Sequence, residues 1–228
     1  MKKYEITDVT KVNSYGVTLH RIKACIDFNT PTDVHVSTGD LGGWIEKVEN
    51  LSHDGDCWVY DDAEVCGDAK VYGNATVFDD ARVRDSAKVY DRACVYGNAE
   101  VRGNAEVYDG ADVCSYADVR DNAVVYDNAM VSGSVTVCGH ARVYGRAVLG
   151  DLATIADRAE VYDNAIVDGQ SQIYDDAKVY GISRVCDVDI GGCSRIQNVE
   201  LSGVCDDVNV DCMQIQNVKI SGDFKTEE

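Results

Sequence analysis

Residues 63–92 read AEVCGD, AKVYGN, ATVFDD, ARVRDS, AKVYDR, a six-residue unit repeated without a break in step. The step holds as far as Cys186. Taken every six residues from Ala63 to Ser183 there are 21 positions, and eighteen are Ala, the exceptions being Val135, Ser171 and Ser183. Two residues later, from Val65 to Val185, eighteen of 21 are Val, with Leu149, Ile155 and Ile173 filling the rest. A small and an aliphatic residue at i and i+2 point the same way only on extended chain. A helix would need spacings of three and four, which are missing. Each hexad is therefore a very short strand with two inward side chains, two outward ones and two corner residues. The corners are mostly Gly or Asp followed by Asn, Asp, Ser or Arg, types that tolerate left-handed backbone angles. One hexad buries nothing by itself, so stability must come from stacked neighbours.

The pattern, as in Ala69-Lys70-Val71 and Ala159-Glu160-Val161, resembles the hexapeptide-repeat proteins, whose fold is a single-stranded left-handed parallel β-helix. The resemblance implies an all-β class, three hexads per triangular coil, and residues 18 apart lying above one another. About seven regular coils are then expected, roughly 34 Å of rod at a strand spacing of about 4.8 Å. Sorting the outward residues by eighteen tests this, because three faces should differ in character. One carries Tyr72, Tyr90, Tyr108, Tyr126, Tyr144, Tyr162 and Tyr180, a tyrosine in every coil. A second carries Cys66, Arg84, Arg102, Arg120, Cys138, Ala156 and Tyr174, with Glu64, Arg82, Glu100 and Asp118 beside them. The third carries Phe78, Tyr96, Cys114, Ser132, Gly150 and Asp168, flanked by Thr76, Cys94, Asp112, Met130, Val148 and Ile166. An aromatic ladder, a charged face and a partly apolar face emerge from one period.

Outside the repeat the chain divides into residues 1–43, read as an N-terminal β cap, 44–186 as the β-helix, and 187–228 as a C-terminal short-period β region that caps the rod or mediates self-association. Val17 to Phe28 reads as a strand, with Tyr4-Glu5-Ile6 pairing to it around Ser14-Tyr15-Gly16. Exposed sheet edges invite aggregation, which is why a cap is expected. The lead-in Gly39-Asp40-Leu41-Gly42-Gly43-Trp44-Ile45-Glu46, Asn50-Leu51-Ser52 and Gly55-Asp56-Cys57-Trp58-Val59-Tyr60 is similar to one in hexapeptide-repeat proteins of phages and prophages. Beyond residue 183 inward pairs are traced as Val188/Ile190, Ser194/Ile196, Val199/Leu201, Val208/Val210, Met213/Ile215 and Val218/Ile220, with the tail Asp223–Glu228 frayed.

Forty acidic against 21 basic residues give a net charge of −19, which argues against direct binding of nucleic acid or an anionic membrane. The N-terminus has no apolar leader and no segment is long enough to span a bilayer, so a cytoplasmic location is expected, in the host cell if the chain is phage-encoded. The ten cysteines include no CxxC pair and read as reduced, small apolar residues. Calcium would need more than corner aspartates at a six-residue step.

The resemblance also implies candidate chemistry. Acyltransferases of this fold use a histidine as general base in a cleft, and here only His140 lies in the regular repeat; His20, His35 and His53 precede it. A zinc site of three converging histidines is not available from one repeat histidine. The expectation is therefore a non-enzymatic acidic binding protein with no catalytic residue, metal or cofactor, blocking a basic host protein by surface mimicry. A divergent acyltransferase and a polymer-forming structural component are the alternatives. The interface candidates are the seven tyrosines together with Phe78, Tyr96 and Met130. The resemblance implies a homo-oligomer, a trimer by the habit of the family.

Overall fold

The computed structural model describes residues 2–202, 209–211, 214–217 and 219–221. They form a parallel β-solenoid of about nine turns whose strands lie in three long sheets. Each regular hexad contributes a two-residue strand, such as Glu64–Val65, Lys70–Val71 and Thr76–Val77. Successive hexads go to different sheets. Residues 18 apart pair in register: Arg82 with Glu100, Lys88 with Glu106, Cys94 with Asp112. The inward Ala and Val columns are fully buried from end to end. Because the inner residues are so small, three strands approach closely and the interior is a filled column.

Corners close because their first residue adopts the left-handed conformation. Twelve aspartates from Asp61 to Asp187 do so, alternating with glycines such as Gly67 and Gly103. Aspartate tolerates this region better than most residues, and here its carboxylate also bonds the neighbouring coil. The N–H of Gly97 donates to Asp79 Oδ2 at 3.1 Å, that of Gly103 to Asp85 at 3.0 Å, and those of Gly139, Gly145, Gly169 and Gly181 to Asp121, Asp127, Asp151 and Asp163. Each bond spans one coil. Part of the acidity thus serves to hold corners together.

The solenoid exceeds the seven coils expected because it extends beyond the strict repeat at both ends. At the front, Leu41–Ile45 already lies in the first sheet, with Trp44 beside Glu64 and Ile45 beside Val65, and Leu51 bridges Val71. The paired glycines of the lead-in are explained here. A Cβ on Gly43 would sit 2.6 Å from Val59 Cγ1 and 2.8 Å from the carbonyl oxygens of Ala63 and Tyr60. At the back, strands Asp189–Gly191, Arg195–Gln197 and Glu200–Ser202 continue the same three sheets. The coil length simply drifts: Gln172 pairs with Asp189, Arg184 with Glu200, and Arg195 with Gln214. The inward pairs Val188/Ile190, Ser194/Ile196 and Val199/Leu201 are buried as read. Val208, Met213, Val218 and the tail 223–228 lie outside the described residues.

Tyr4–Val12 and Thr18–Ala24 form an antiparallel hairpin that extends the first sheet past Leu41–Ile45. In regular coils the carbonyl of the small inward residue accepts an N–H from the coil before, as Ala75 does from Trp58 at 3.0 Å. The first coil has none before it. The Lys3 ammonium takes that role, donating to Cys57 O at 2.8 Å and Gly55 O at 3.1 Å, while the Tyr4 hydroxyl lies 2.7 Å from Leu51 O and 2.9 Å from Val48 O. Phe28, Trp58, Tyr4 and His53 pack edge and face above it. The end of the rod is sealed by donors and aromatics.

Candidate functional site

The tyrosine face is built by the strands Lys70–Val71, Lys88–Val89, Glu106–Val107, Val124–Val125, Arg142–Val143, Glu160–Val161 and Lys178–Tyr180. The position after each inward aliphatic residue is a tyrosine, and the register brings all seven into one column. Adjacent rings lie 4.8–5.1 Å apart between centroids and within 11° of parallel from Tyr72 to Tyr180. Each inner ring therefore gives both π-faces to its neighbours and offers only its edge and hydroxyl outward. The ladder is a row of phenol groups at the coil spacing; its faces are not free to stack on a sugar or a base.

Two of the hydroxyls are tied down. Tyr90 donates to Glu106 at 3.1 Å and Tyr144 to Glu160 at 2.9 Å, while Lys88 and Lys178 pair with the same two carboxylates at 2.7 Å. Burial in the stack raises the Tyr90 and Tyr144 phenols, and the adjacent carboxylates push them further. Burial alone would raise the Glu160 carboxyl; the bonds from Lys178 and Tyr144 outweigh it and hold that group below the usual carboxylate range.

Phe78, Tyr96 and Met130 stand on a different face. Phe78 and Tyr96 stack at 4.7 Å, and Met130, 39% exposed, heads a strip continued by the paired Val148 and Ile166. The ten interface candidates thus form two surfaces on separate sheets. On the charged face Arg84 pairs with Glu100, and Asp118 receives Arg102 at 2.8 Å and Arg120 at 3.1 Å, a pairing legible from the column. The hairpin tip was not legible. Tyr15 reaches down this face, its hydroxyl 2.8 Å from Glu100 and its ring under the Arg84 guanidinium at 4.7 Å.

An open cleft of about 550 Å³ lies where the corner before the tyrosine face meets its strands, lined by His140, Arg142, Arg158, Glu160, Asp176 and Lys178. Arg158 and Asp176 form a two-bond pair at 2.6 and 2.7 Å, which holds the Asp176 carboxyl below its ordinary range. Among the described residues Arg142 has no ion-pair partner and the His140 side chain no hydrogen bond. The other histidines lie elsewhere: His53 stacks on Tyr4, His35 bonds Asn29 at 2.7 Å, and His20 sits in the hairpin strand Thr18–Ala24. Among the described residues no three His, Cys, Asp or Glu side chains are grouped to hold a metal ion, and no helix is long and apolar enough to cross a membrane. Cys25, Cys57, Cys66, Cys94, Cys114, Cys138 and Cys186 are free thiols.

Residues 69–85 and 123–139 match the family model described as the YdcK β-solenoid repeat. Both matches fall within the six-residue repeat that builds the solenoid coils. The first YdcK-type match begins with the tyrosine-face hexad of Tyr72 and the second with that of Tyr126, so both open on the same face. A curated protein named uncharacterized acetyltransferase YdcK, from Escherichia coli (strain K12), is 35% identical over 68 residues, 27% of this chain and 19% of that protein. The chain thus matches about a fifth of that relative's length. A match of that extent says nothing of the remaining four fifths of that protein.

Proposed function

We propose that the chain is a non-enzymatic binding protein, a rigid acidic rod that engages a basic protein partner through its tyrosine face and the aspartate-rich corners bordering it. The observation that carries this reading is the ladder. Seven phenol edges held at one spacing form a large, pre-ordered surface, and tyrosine edges with flanking charge are the chemistry of protein contacts. Corner aspartates such as Asp127 and Asp163 give one oxygen to a backbone N–H one coil on, and in this reading the other takes a lysine or arginine of the partner. The phage-like lead-in directs the search to host proteins, which such a rod would block by occupying a surface made for polyanions. Copies associate through the third face, where Met130, Val148 and Ile166 offer an uncharged strip to a chain of net charge −19. The test is capture from host lysate at low and high salt. Recovery of a basic partner that is lost at high salt, and lost with Tyr108→Ala and Tyr126→Ala together, supports the reading. Salt-independent capture or none overturns it.

A second reading has one specific observation in its favour. The cleft combines a histidine with three cationic side chains, and the matched relative is named an acetyltransferase. In that reading His140 is the general base and Arg142 binds an anionic part of the acyl donor. Against it, no carboxylate among the described residues hydrogen-bonds the imidazole. Acetyl-coenzyme A binding by calorimetry, abolished in Arg142→Gln, would favour this reading over the first.

A further inference from the structure

The buried pair Lys3 and Cys57 has no part in either reading. Lys3 is 2% exposed and Cys57 fully buried, and the ammonium nitrogen lies 3.1 Å from the thiol sulfur. Among the described residues Lys3 has no carboxylate within ion-pair distance; carbonyls of Gly55 and Cys57 and this sulfur are its hydrogen-bond partners. The other cysteines meet different groups. Cys66 faces the Asn13 amide, Cys94 the Thr76 hydroxyl and Cys114 the Ser115 hydroxyl. None of these is an amine that can displace water from an oxidised sulfur.

We propose that Lys3 and Cys57 are a modification site, forming a sulfur–nitrogen cross-link under hydrogen peroxide that fastens the N-terminal strand to the first coil. The chemistry balances in two steps. Peroxide transfers one oxygen to sulfur, giving the sulfenic acid and one water. The Lys3 ammonium loses a proton to the water just formed and the amine attacks that sulfur; the S–N bond forms, the S–O bond breaks, and the leaving hydroxide takes a proton from the nitrogen to depart as a second water. In total one amine, one thiol and one peroxide give a sulfenamide and two waters. The geometry favours this over further oxidation because the amine is already in contact with sulfur, so the second step is unimolecular. Access is through the cap itself. Tyr4–Val12 is the outermost strand of its sheet, and edge strands open at lower cost than core strands. The bond would staple residues 54 apart and suppress that opening, and a thiol reductant would reverse it.

The test is mass spectrometry of the full chain after treatment with hydrogen peroxide and non-reducing digestion. The expected product is a Lys3–Cys57 peptide pair lighter by two hydrogens than its separate peptides and released by dithiothreitol, with urea unfolding of the treated protein shifted to higher concentration. Lys3→Arg keeps the charge and the donors but lacks the nucleophile, so it should stop at sulfenic or sulfinic acid. Recovery of Cys57 from the native chain as sulfinic acid or free thiol, with Lys3 unmodified, overturns the proposal whatever the variant does.

Discussion

Cys57 and Ala75 occupy the same inward position in successive coils, yet the carbonyl of Ala75 accepts a backbone N–H and that of Cys57 a lysine ammonium. In the regular coils every such partner is supplied by a copy of the same hexad, so no single residue is indispensable. At the N-terminal end each partner is a unique side chain: Lys3 for Gly55 and Cys57, Tyr4 for Val48 and Leu51, Asn50 for Gly67 and Ala69. The repeat spreads its stability over many equal small contributions, whereas the cap concentrates it in a few residues. Sensitivity to substitution should follow that division.

Lys3→Met is the strongest way to break the comparison. It leaves the buried Cys57 carbonyl and the part-buried Gly55 carbonyl without that donor, at about 1–3 kcal/mol for the buried group, and should lower the urea midpoint and abolish hydrogen-exchange protection in the first coil while sparing coils beyond residue 100. Uniform loss along the rod would show that the cap and coils unfold as one unit. Gly43→Ala comes next. The added Cβ meets two backbone oxygens that cannot swing away, and overpacking of this kind costs about 1–3 kcal/mol. The same substitution at Gly150, where the nearest atom would be 3.8 Å away, should be close to neutral by the same measurement.

Those two glycines also mark how far the sequence could be read. The Ala/Val columns announce both the strand period and the three-fold coil, since burial on a periodic scaffold leaves a periodic trace; the tyrosine column and the Arg–Glu pairs of the charged face follow from the same count. What has no period left no trace. Lys3 looks like one more basic residue near a terminus, and its role as an end-cap depends on coil geometry. Tyr15 contacts Glu100 from 85 residues away, a pairing set by the angle at which the hairpin folds back. The corner aspartates were visible as turn formers, but their bonds to the next coil depend on a rise that only coordinates give. The cleft by His140 assembles three coils whose corner residues, His140, Arg158 and Asp176, differ in type, so no pattern flags it.

Within the repeat, the ladder offers a graded test. Tyr126 is stacked on both sides, whereas Tyr180 stacks on Tyr162 and is followed in its column by Gln197. An aromatic pair contributes about 0.5–1.5 kcal/mol beyond burial. Tyr126→Leu should therefore cost about 1–2 kcal/mol in urea denaturation and Tyr180→Leu about half of that. Equal costs would mean that the rings contribute through buried area alone.

The smallest effect expected is in the acid limb, and it separates cap from coil once more. Glu100 and Glu160 both lie below the usual carboxylate range: burial raises each, but Arg84 and Tyr15 outweigh it for the first, Lys178 and Tyr144 for the second. A carboxyl depressed in the folded state contributes stability that is complete above its unfolded value, near 4.3, and is lost as pH falls through the folded value. Both contributions should therefore be intact at neutral pH and fade below about pH 4. Each is at most about 1 kcal/mol, the scale of partly exposed ion pairs. The two should still differ in what they release. Glu160→Gln should flatten the acid limb of thermal stability slightly and leave the cap alone. Glu100→Met removes the acceptor that anchors Tyr15, so it should also free the hairpin tip, read as faster amide exchange at Asn13 to Gly16. Unchanged exchange there would show that the tip is held by Arg84 stacking on Tyr15 and by Asn13, whose carboxamide oxygen accepts the N–H groups of Tyr15 and Val17 at 3.0 Å. In that case the carboxylate serves the charged face of the coils, and the cap keeps its own geometry without it.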